Sequence, residues 1–293
     1  MILTDPILGL VFLVSAAWLA WQLARQKGTA AAISIVSLGI LSAAGIVAPW
    51  IVRNYAVHGE LVPVKSTFGY AFWQGNHPRS YGTDKVPRAY AEGLVATHTG
   101  GLTELVERTW QARHETQYID DLVLSPRDKA ELGRLPEPER CKLLLKKAIG
   151  YIRDDPARYA RLCLRRLRYF LVFDDTNPRT HVLAYRVFHI AFIGLTLWGL
   201  WAGRDLLPRL TPALASYAAI CLFHTFTIAS IRFRIPVEPF QVLVVATGLE
   251  VVLNRLTRLS TLRPPTGCAA PNSSLHDENL DRGHKSGPER RAA

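Results

Sequence analysis

The sequence lacks the short motifs that mark several common enzyme classes. It has no G-x-x-x-x-G-K-[ST] phosphate loop, no G-x-S-x-G nucleophile turn and no H-E-x-x-H metal-binding pair. Its 4 cysteines form no C-x-x-C pair and stand at no metal-ligand spacing, so we expect no metal and no other cofactor. Cys141 and Cys163 fall in one predicted compartment, where either a disulfide between them or two free thiols would fit.

Acidic residues are in deficit: 24 Asp and Glu stand against 35 Lys and Arg, which gives a net charge of +11. In a soluble protein this excess would indicate nucleic acid as a partner. Here the basic residues lie beside long apolar runs and along one amphipathic segment. We therefore expect anionic lipid headgroups or a lipid phosphate as the partner, and no nucleic acid.

Charge is absent from two long stretches of the chain. Residues 28–52 and 210–231 hold 25 and 22 consecutive uncharged positions, and about 20 mostly apolar residues cross a bilayer core as a helix. The sequence therefore predicts an all-α polytopic membrane protein with one large, mainly helical loop domain. The predicted transmembrane helices are residues 6–24, 30–52, 182–202, 210–230 and 235–253.

Basic residues in the short loops set the predicted orientation. Only Arg232 and Arg234 lie in a short loop on the outer side, whereas the side that we infer to be cytoplasmic carries Arg25, Lys27, Arg204, Arg209, Arg255, Arg258 and Arg263. The prediction is a multi-pass protein of the plasma (inner) membrane. Its regions are two transmembrane helices in 1–52, an extracytoplasmic loop domain in 53–181, three transmembrane helices in 182–254, and a disordered cytoplasmic tail in 255–293.

The loop domain divides into a Gly-, Pro- and aromatic-rich part and a helical part. The first part, residues 53–90, predicts strands, turns and ordered loop. The second part predicts helices over 103–122, from Ser125-Pro126 onward, over 137–153, and from Asp155-Pro156 to about 172.

The last of these helices is strongly amphipathic. Its apolar face holds Ala160, Cys163, Leu164, Leu167 and Leu171, and a different face holds Arg158, Arg161, Arg165 and Arg168. This pattern is typical of a helix that lies in the membrane interface. The alternative is a solvated face on a helix that packs against its own domain.

Two polar clusters follow the second transmembrane helix. In the first, Arg53 and Asn54 come directly after the helix end, where the cation either binds a lipid phosphate or is a snorkelling anchor. In the second, residues 69–78, aromatic side chains alternate with amides, including Trp73, Gln74 and Asn76. Rings that stack on sugars and amides that bond hydroxyls suit sugar binding, and the same residues suit a tight turn on the bilayer surface.

A third cluster occupies residues 224–238. Arg232 and Arg234 are two positions apart, which predicts a compact cationic patch suited to a phosphate, or else a pair of snorkelling anchors. His224 lies within the fourth transmembrane helix, where an ionisable residue is a functional candidate. A neutral histidine bonded to a neighbouring helix is the other interpretation.

These clusters resemble a known enzyme family. The run A-P-W-I-V-R-N at 48–54, the G-N-H-P element at 75–78 and the R-F-R-I-P element at 232–236 occur in the order of the family 39-like bacterial glycosyltransferases. These enzymes belong to the GT-C superfamily and are relatives of the dolichyl-phosphate-mannose–protein mannosyltransferases. The resemblance extends over residues 1–255.

The resemblance implies transfer of a sugar from a polyprenyl-phosphate-linked donor to an acceptor at the outer membrane face. It implies that Arg53, Arg232 and Arg234 lie near the donor phosphate. We assign a second set to the region that binds the sugar or the acceptor: Asn54, Trp73, Gln74, Asn76, His224 and Glu238.

One departure from the family bears on activity. Family members carry further transmembrane helices at the amino-terminal end, with a catalytic carboxylate in their first outer loop, and no replacement is evident in this sequence. We therefore expect the carboxy-terminal part of such an enzyme, with its catalytic residue unknown and a second chain as one source of the missing half. The alternative is an inactive homologue that acts as a membrane partner or lipid-binding module. A transporter would need ionisable residues at mid-membrane, and only His224 approaches this requirement.

Overall fold

The computed structural model describes residues 6–97 and 100–261, and this part of the chain is mainly helical. Within it, helical segments that are long and apolar enough to cross a membrane are Leu8–Lys27, Thr29–His58, Leu183–Ala202, Arg204–Phe226 and Ile231–Thr257. The prediction of a mainly helical membrane protein with about five such helices is therefore confirmed. Met1–Leu253 forms one compact unit, and a second unit begins at Asn254.

The elements are numbered here in chain order. The α-helices are α1 (Leu8–Lys27), α2 (Thr29–His58), α3 (Phe68–Asn76), α4 (Ala89–Ala96), α5 (Leu102–His114), α6 (Ile119–Val123), α7 (Pro126–Arg134), α8 (Glu137–Asp154), α9 (Pro156–Leu171), α10 (Leu183–Ala202), α11 (Thr211–Phe226) and α12 (Glu238–Thr261). Two short strands, β1 (Lys85–Val86) and β2 (Gln117–Tyr118), pair antiparallel, with Lys85 opposite Tyr118. Short 3₁₀ turns occupy Pro178–His181, Arg204–Leu210, Ile231–Phe233 and Ile235–Val237.

The segment 53–90 differs from its prediction. Helix α2 continues to His58, where Gly59 takes a left-handed conformation and its N–H bonds the Tyr55 carbonyl. Residues 68–76, expected as turn or ordered loop, form α3 instead. Extended structure here is limited to the two residues of β1.

Close packing explains why α3 tolerates its glycines. A Cβ atom on Gly69 would lie 2.2 Å from the Cys141 carbonyl oxygen, and one on Gly75 would lie 2.6 Å from the Thr227 carbonyl oxygen. Only glycine allows α3 to approach both backbones. Its helical form is therefore a product of tertiary contacts that a local reading of the sequence does not contain.

The predicted helix starts of the loop domain are confirmed. Ser125 and Asp128 form a capping box at the start of α7: the Asp128 N–H bonds Ser125 Oγ at 3.1 Å, and the Ser125 N–H bonds Asp128 Oδ2 at 3.0 Å. Asp155 caps α9 by accepting the Arg158 N–H at 2.8 Å. The helix expected over 103–122 is instead interrupted, since α5 ends at His114 and β2 and α6 follow.

Two buried clusters organise the fold, one inside the predicted loop domain and one between that domain and the transmembrane helices. One lies where α3 packs on α8 and contains Trp73, Ile119, Leu144 and Ala148. The other lies where α9 packs on α11 and contains Phe170, Ile220, Cys221 and Val237. Helix α9 therefore runs between the loop region and the ends of the transmembrane helices.

The buried face of α9 is not the predicted apolar face. Its buried side chains are Leu162, Arg166, Tyr169 and Phe170, whereas Leu164 is 70% exposed. An exposed leucine beside exposed arginines is compatible with the interfacial position, which stays a prediction.

Two further predictions meet the structure only in part. Cys141 and Cys163 are free thiols, and Cys141 Sγ accepts the Gly69 N–H at 3.0 Å. The tail was expected to begin at residue 255, but α12 continues to Thr261. Leu253, Leu256 and Leu259 continue the helical spacing of apolar residues past the predicted end. Residues 262–293, which hold the rest of the predicted tail, lie outside the described residues.

Candidate functional site

A cleft of about 250 Å³ lies where β1, α5, the turn at Pro178–His181 and the segment 230–235 meet. We call it the Arg232 cleft. Its charged lining consists of one carboxylate, Asp84, and four basic side chains: Lys85, Arg113, Arg179 and Arg232. Such an excess of positive charge in a cleft attracts an anionic ligand.

Arg232 itself is available to a ligand. Its side chain is 68% exposed, and its Nη2 lies 3.7 Å from Asp84 Oδ2. Its guanidinium also lies over the Phe233 ring, 5.1 Å from the ring centroid. An exposed guanidinium can bind a phosphate through two parallel N–H donors, and the predicted phosphate-binding role of Arg232 stays a prediction.

Asp84 was missed by the sequence analysis. It is 7% exposed, and its Oδ1 is buried with no hydrogen-bond partner among the described residues. The backbone around it is fixed, because its carbonyl accepts the Ile119 N–H at 3.0 Å and Thr83 Oγ1 bonds Thr176 Oγ1 at 2.8 Å. A usable signal was present, since Asp84 is the only acidic residue between Glu60 and Glu92.

Arg234 does not join Arg232 in one patch. It is 2% exposed, and its Nη1 lies 2.9 Å from the Val172 carbonyl and 2.8 Å from His189 Nε2. Its guanidinium also donates to the Tyr185 hydroxyl. The predicted compact patch is therefore not formed. The cause is the 3₁₀ turn between the two arginines, which rotates residues two positions apart onto different faces.

Glu238 and His224 both contact other parts of the protein, Glu238 from a half-exposed position and His224 from a buried one. Glu238 Oε1 lies 3.7 Å from Arg234 Nε, one turn apart. His224 is 3% exposed, its Nδ1 lies 3.0 Å from the Ile228 carbonyl, and its ring stacks on Phe233 with centroids 4.3 Å apart. Both side chains fix the segment 228–238 that carries Arg232.

Arg53 and Asn54 lie outside the Arg232 cleft. The Arg53 side chain is exposed at the end of α2, with its guanidinium 5.1 Å from the Trp50 ring centroid. Asn54 is buried and donates from Nδ2 to the Val62 carbonyl at 2.9 Å. Asn54 therefore holds the chain that follows α2. Arg53 lies within the last two turns of α2, and its role as a phosphate ligand or as an anchor stays a prediction.

The aromatic and amide cluster of α3 is largely internal. Trp73, Gln74 and Asn76 are all buried. Gln74 Nε2 donates to Asp120 Oδ1 at 3.1 Å and to the Tyr70 hydroxyl at 3.2 Å. Burial and the nearby Asp120 carboxylate raise the pKa of Tyr70. These residues therefore belong to the packing of α3 and do not line the Arg232 cleft.

Arg166 ties three segments together and was missed by the sequence analysis. It is fully buried, and its Nη2 donates to the Gly75 carbonyl at 2.6 Å and to Asn76 Oδ1 at 2.8 Å. Its Nε donates to the Gly82 carbonyl at 3.2 Å. Burial lowers the pKa of Arg166 to about 10. The G-N-H-P element is thus held against α9 by a buried cation, which lies hidden among the exposed arginines of the same helix.

An apolar cavity of about 390 Å³ lies between α10, α11 and α12 at the end of α9. Its lining is mostly hydrocarbon, with Leu171, Leu197, Tyr217, Phe240 and Val244 among the contributing side chains. The two spaces take side chains from neighbouring parts of the chain, since Ile235 lines the Arg232 cleft and Phe240 lines the cavity. A lipid with a charged head and an apolar chain would find both environments close in the fold.

Comparison of the chain with protein-family models, with curated proteins and with solved structures finds no match. Among residues 6–97 and 100–261, no group of three or more His, Cys, Asp or Glu side chains is placed to hold a metal ion.

Proposed function

We propose that this protein is a membrane glycosyltransferase, or the carboxy-terminal part of one, that uses a polyprenyl-phosphate-linked sugar donor. It transfers the sugar to an acceptor hydroxyl at the outer face of the plasma membrane. The supporting observation is the Arg232 cleft, in which four cations surround one carboxylate that has an unpartnered buried oxygen. The resemblance of the sequence to family 39-like glycosyltransferases gives the same reaction class.

The proposed chemistry divides the charged groups of the cleft into two roles. Asp84 accepts the proton of the acceptor hydroxyl as that oxygen attacks the anomeric carbon of the donor. The bond between the anomeric carbon and the phosphate oxygen breaks, and polyprenyl phosphate leaves with the bonding electrons. Arg232, Lys85 and Arg179 stabilise the negative charge on this phosphate. The apolar cavity beside α10 offers the surface that the polyprenyl chain requires.

This assignment reduces the number of sequence-predicted residues that contact the substrate. Arg232 keeps its role as a ligand of the donor phosphate. Arg234, Glu238, His224 and Asn76 become positioning residues, because their polar atoms are engaged with the protein framework. The catalytic residue, unknown from the sequence, is assigned to Asp84.

The alternative is an inactive homologue that only binds the lipid phosphate. Both functions need Arg232, and only the enzyme needs Asp84, so two variants separate them. We expect the full chain in nanodiscs to bind polyprenyl phosphate, and Arg232→Gln to weaken this binding about tenfold or more, since charged hydrogen bonds contribute about 1.5–3 kcal/mol. Asp84→Asn should bind as well as the unmodified chain or better, because it removes a negative charge from the cleft.

Turnover is then measured as release of polyprenyl phosphate from a panel of polyprenyl-phosphate hexoses, with extracted envelope lipids as acceptors. We expect Asp84→Asn to abolish release while binding persists. Arg127→Gln, whose side chain is 88% exposed on α7, is the matched control for the loss of one positive charge. Binding without release by the unmodified chain would support the inactive homologue, and absence of binding would contradict both functions.

A further inference from the structure

A second basic cleft lies on the other side of the segment 78–86. Its volume is about 480 Å³, and four of its ten lining residues are arginines: Arg79, Arg158, Arg161 and Arg165. None of the described residues that line it is acidic. We call it the second cleft. It shares no lining residue with the Arg232 cleft.

The arginines of the second cleft are held in place by the fold. Arg158, Arg161 and Arg165 follow one another at helical spacing on α9, so they share one face of that helix. Arg158 donates from Nη1 to the Asn76 carbonyl at 3.1 Å and also bonds the His77 carbonyl. Helix α9 is therefore fixed against the chain that follows α3, which brings Arg79 to the opposite wall.

The charge of the second cleft is poorly compensated within the protein. The nearest recorded carboxylate contact is that of Arg161 Nη2, which lies 3.9 Å from Asp155 Oδ2 with both side chains exposed. Burial lowers the pKa of Arg158, and the neighbouring Arg161 and Arg165 lower it further against the opposing effect of Asp155. Burial, Arg158 and Arg79 lower the pKa of His77 to about 4. The local field is thus strongly positive.

A phosphate group fits these walls. Guanidinium groups bind phosphate through paired donors, and several arginines together can satisfy its oxygens. The cleft has the size of a ligand site. Tyr81 adds an aromatic face, since its ring lies 5.4 Å from the Arg165 guanidinium. Such a wall suits the sugar or alcohol that a phosphate ester carries.

We infer that the second cleft binds the phosphate group of a second ligand, a phosphate monoester distinct from the sugar donor. The segment 78–86 borders both clefts, with Lys85 in one and the adjacent Val86 in the other, as expected for consecutive residues of a strand. Two anionic ligands would thus bind on the two sides of the segment that carries Asp84. The ligand is either the headgroup of a bilayer phospholipid or a soluble phosphate ester.

The test uses the full chain with Arg232→Gln, which disables the Arg232 cleft. The result for the second cleft then does not depend on whether the proposed function is correct. The soluble probe is pyrophosphate, titrated against the detergent-solubilised protein. The lipid probe is a nanodisc of phosphatidylcholine with or without phosphatidic acid, and the readout is the unfolding midpoint.

Arg161→Gln with Arg165→Gln removes two exposed arginines of the second cleft. Arg127→Gln with Arg134→Gln makes the same charge change on α7, where both side chains are exposed.

We expect the α9 pair of substitutions to raise the Kd for the bound probe at least about tenfold, and the α7 pair to leave it unchanged. Pyrophosphate binding identifies a soluble phosphate ester as the source, and stabilisation only by phosphatidic acid identifies a lipid headgroup. If neither probe binds, the inference is wrong. It is also wrong if both pairs weaken binding equally, because that result would reflect net charge and not a site. Equal unfolding midpoints without ligand establish that the variants fold.

Discussion

At the scale of single residues, Arg166 is the side chain on which most of the site architecture depends. It is fully buried and donates to one carbonyl in the last turn of α3 and to another that precedes β1. We expect Arg166→Gln to lower the free energy of unfolding by about 3 kcal/mol or more, since a shorter side chain leaves several buried acceptors unsatisfied. The measurement is the unfolding midpoint in detergent.

Arg165→Gln is the control for Arg166, because it lies one position away on α9 and is exposed. It should leave the midpoint almost unchanged. Equal midpoints for the two variants would show that Arg166 does not hold the G-N-H-P element in place.

His77 provides a pH-dependent contribution to stability. Burial, Arg158 and Arg79 lower its pKa to about 4 in the folded protein, against an ordinary value of 6.5. Between these values the unfolded chain binds a proton that the folded chain does not bind, so the free energy of unfolding falls as the pH drops from 6.5 toward 4. We expect His77→Asn to reduce this fall, because asparagine does not titrate. Its amide oxygen can replace Nδ1 as acceptor of the Arg79 N–H, which preserves the local contact.

The measurement for His77 is the unfolding midpoint of both proteins at several pH values in this interval. Carboxylates titrate alike in the two chains, so their effect cancels in the difference. His114→Asn, at an exposed position on α5, should leave the pH dependence as it is. A His77→Asn curve parallel to that of the unmodified chain would contradict the expectation.

A site residue could be predicted from the sequence only where neighbouring positions in the chain carry the signal for it. Arg232 was predicted because two arginines and a proline at a short loop are a local signal. Its companions Lys85, Arg113 and Arg179 come from three distant segments, and no local pattern links them. Arg234 was assigned to the same patch because sequence spacing does not contain the direction of a side chain in a 3₁₀ turn.

At the scale of elements, α10 and α12 cross at a contact made of glycines. A Cβ atom on Gly199 would lie 2.7 Å from the Val244 carbonyl oxygen, and one on Gly248 would lie 2.7 Å from Gly199 Cα. Small residues allow such close approach of membrane helices. Gly199→Leu should therefore force the helices apart and cost at least about 1–3 kcal/mol of stability.

Gly194→Leu is the matched control for this crossing. Gly194 lies on the same helix, and a Cβ atom there would have no neighbour within 4 Å. We expect it to fold as the unmodified chain does, with Gly199→Leu giving a lower unfolding midpoint and aggregation in detergent. A normal midpoint for Gly199→Leu would show that α10 and α12 do not pack in this way.

The helices that could be predicted are those whose signals lie within a few residues. Helix α7 was predicted from Ser125-Pro126, and the capping box that forms there involves only Ser125 and Asp128. Helix α3 was not predicted, because its Gly- and aromatic-rich sequence becomes helical through contacts with Cys141 and Thr227. The interruption after His114 has the same origin, since β2 forms by pairing with β1.

At the scale of the whole molecule, hydrogen bonds connect the loop region, residues 53–181, to one end of the transmembrane helices. The Tyr159 hydroxyl donates to the Phe226 carbonyl at 2.9 Å, and the Ala229 N–H donates to the Gly82 carbonyl at 3.1 Å. The loop region therefore lies at the end where α11 finishes and α12 begins. The links between α1 and α2 and between α10 and α11 must then lie at the opposite ends of these helices.

The distribution of basic residues gives this arrangement a direction. Arg25 and Lys27 end α1, and Arg204 and Arg209 lie in the turn that follows α10. The positive-inside rule predicts that these positions are cytoplasmic. Arg232 and Arg234 lie on the predicted outer side and so count against this orientation. Their environments reduce the weight of that count. Arg234 is buried in an internal network and Arg232 faces Asp84 across the cleft, so neither is simply a loop charge. We expect the loop region outside the cell and the segment 203–210 inside.

Single cysteines test this orientation in a chain whose native cysteines are replaced by alanine or serine. Arg127→Cys and Asp205→Cys suit the test, because their side chains are 88% and 74% exposed. A membrane-impermeant maleimide should label the cysteine at 127 in intact spheroplasts, and should label that at 205 only after permeabilisation. The reverse pattern would mean the opposite orientation and would place the Arg232 cleft in the cytoplasm, away from an outer-face acceptor. Labelling of both in intact spheroplasts would contradict the arrangement of the helices itself, because an odd number of membrane crossings separates the two positions.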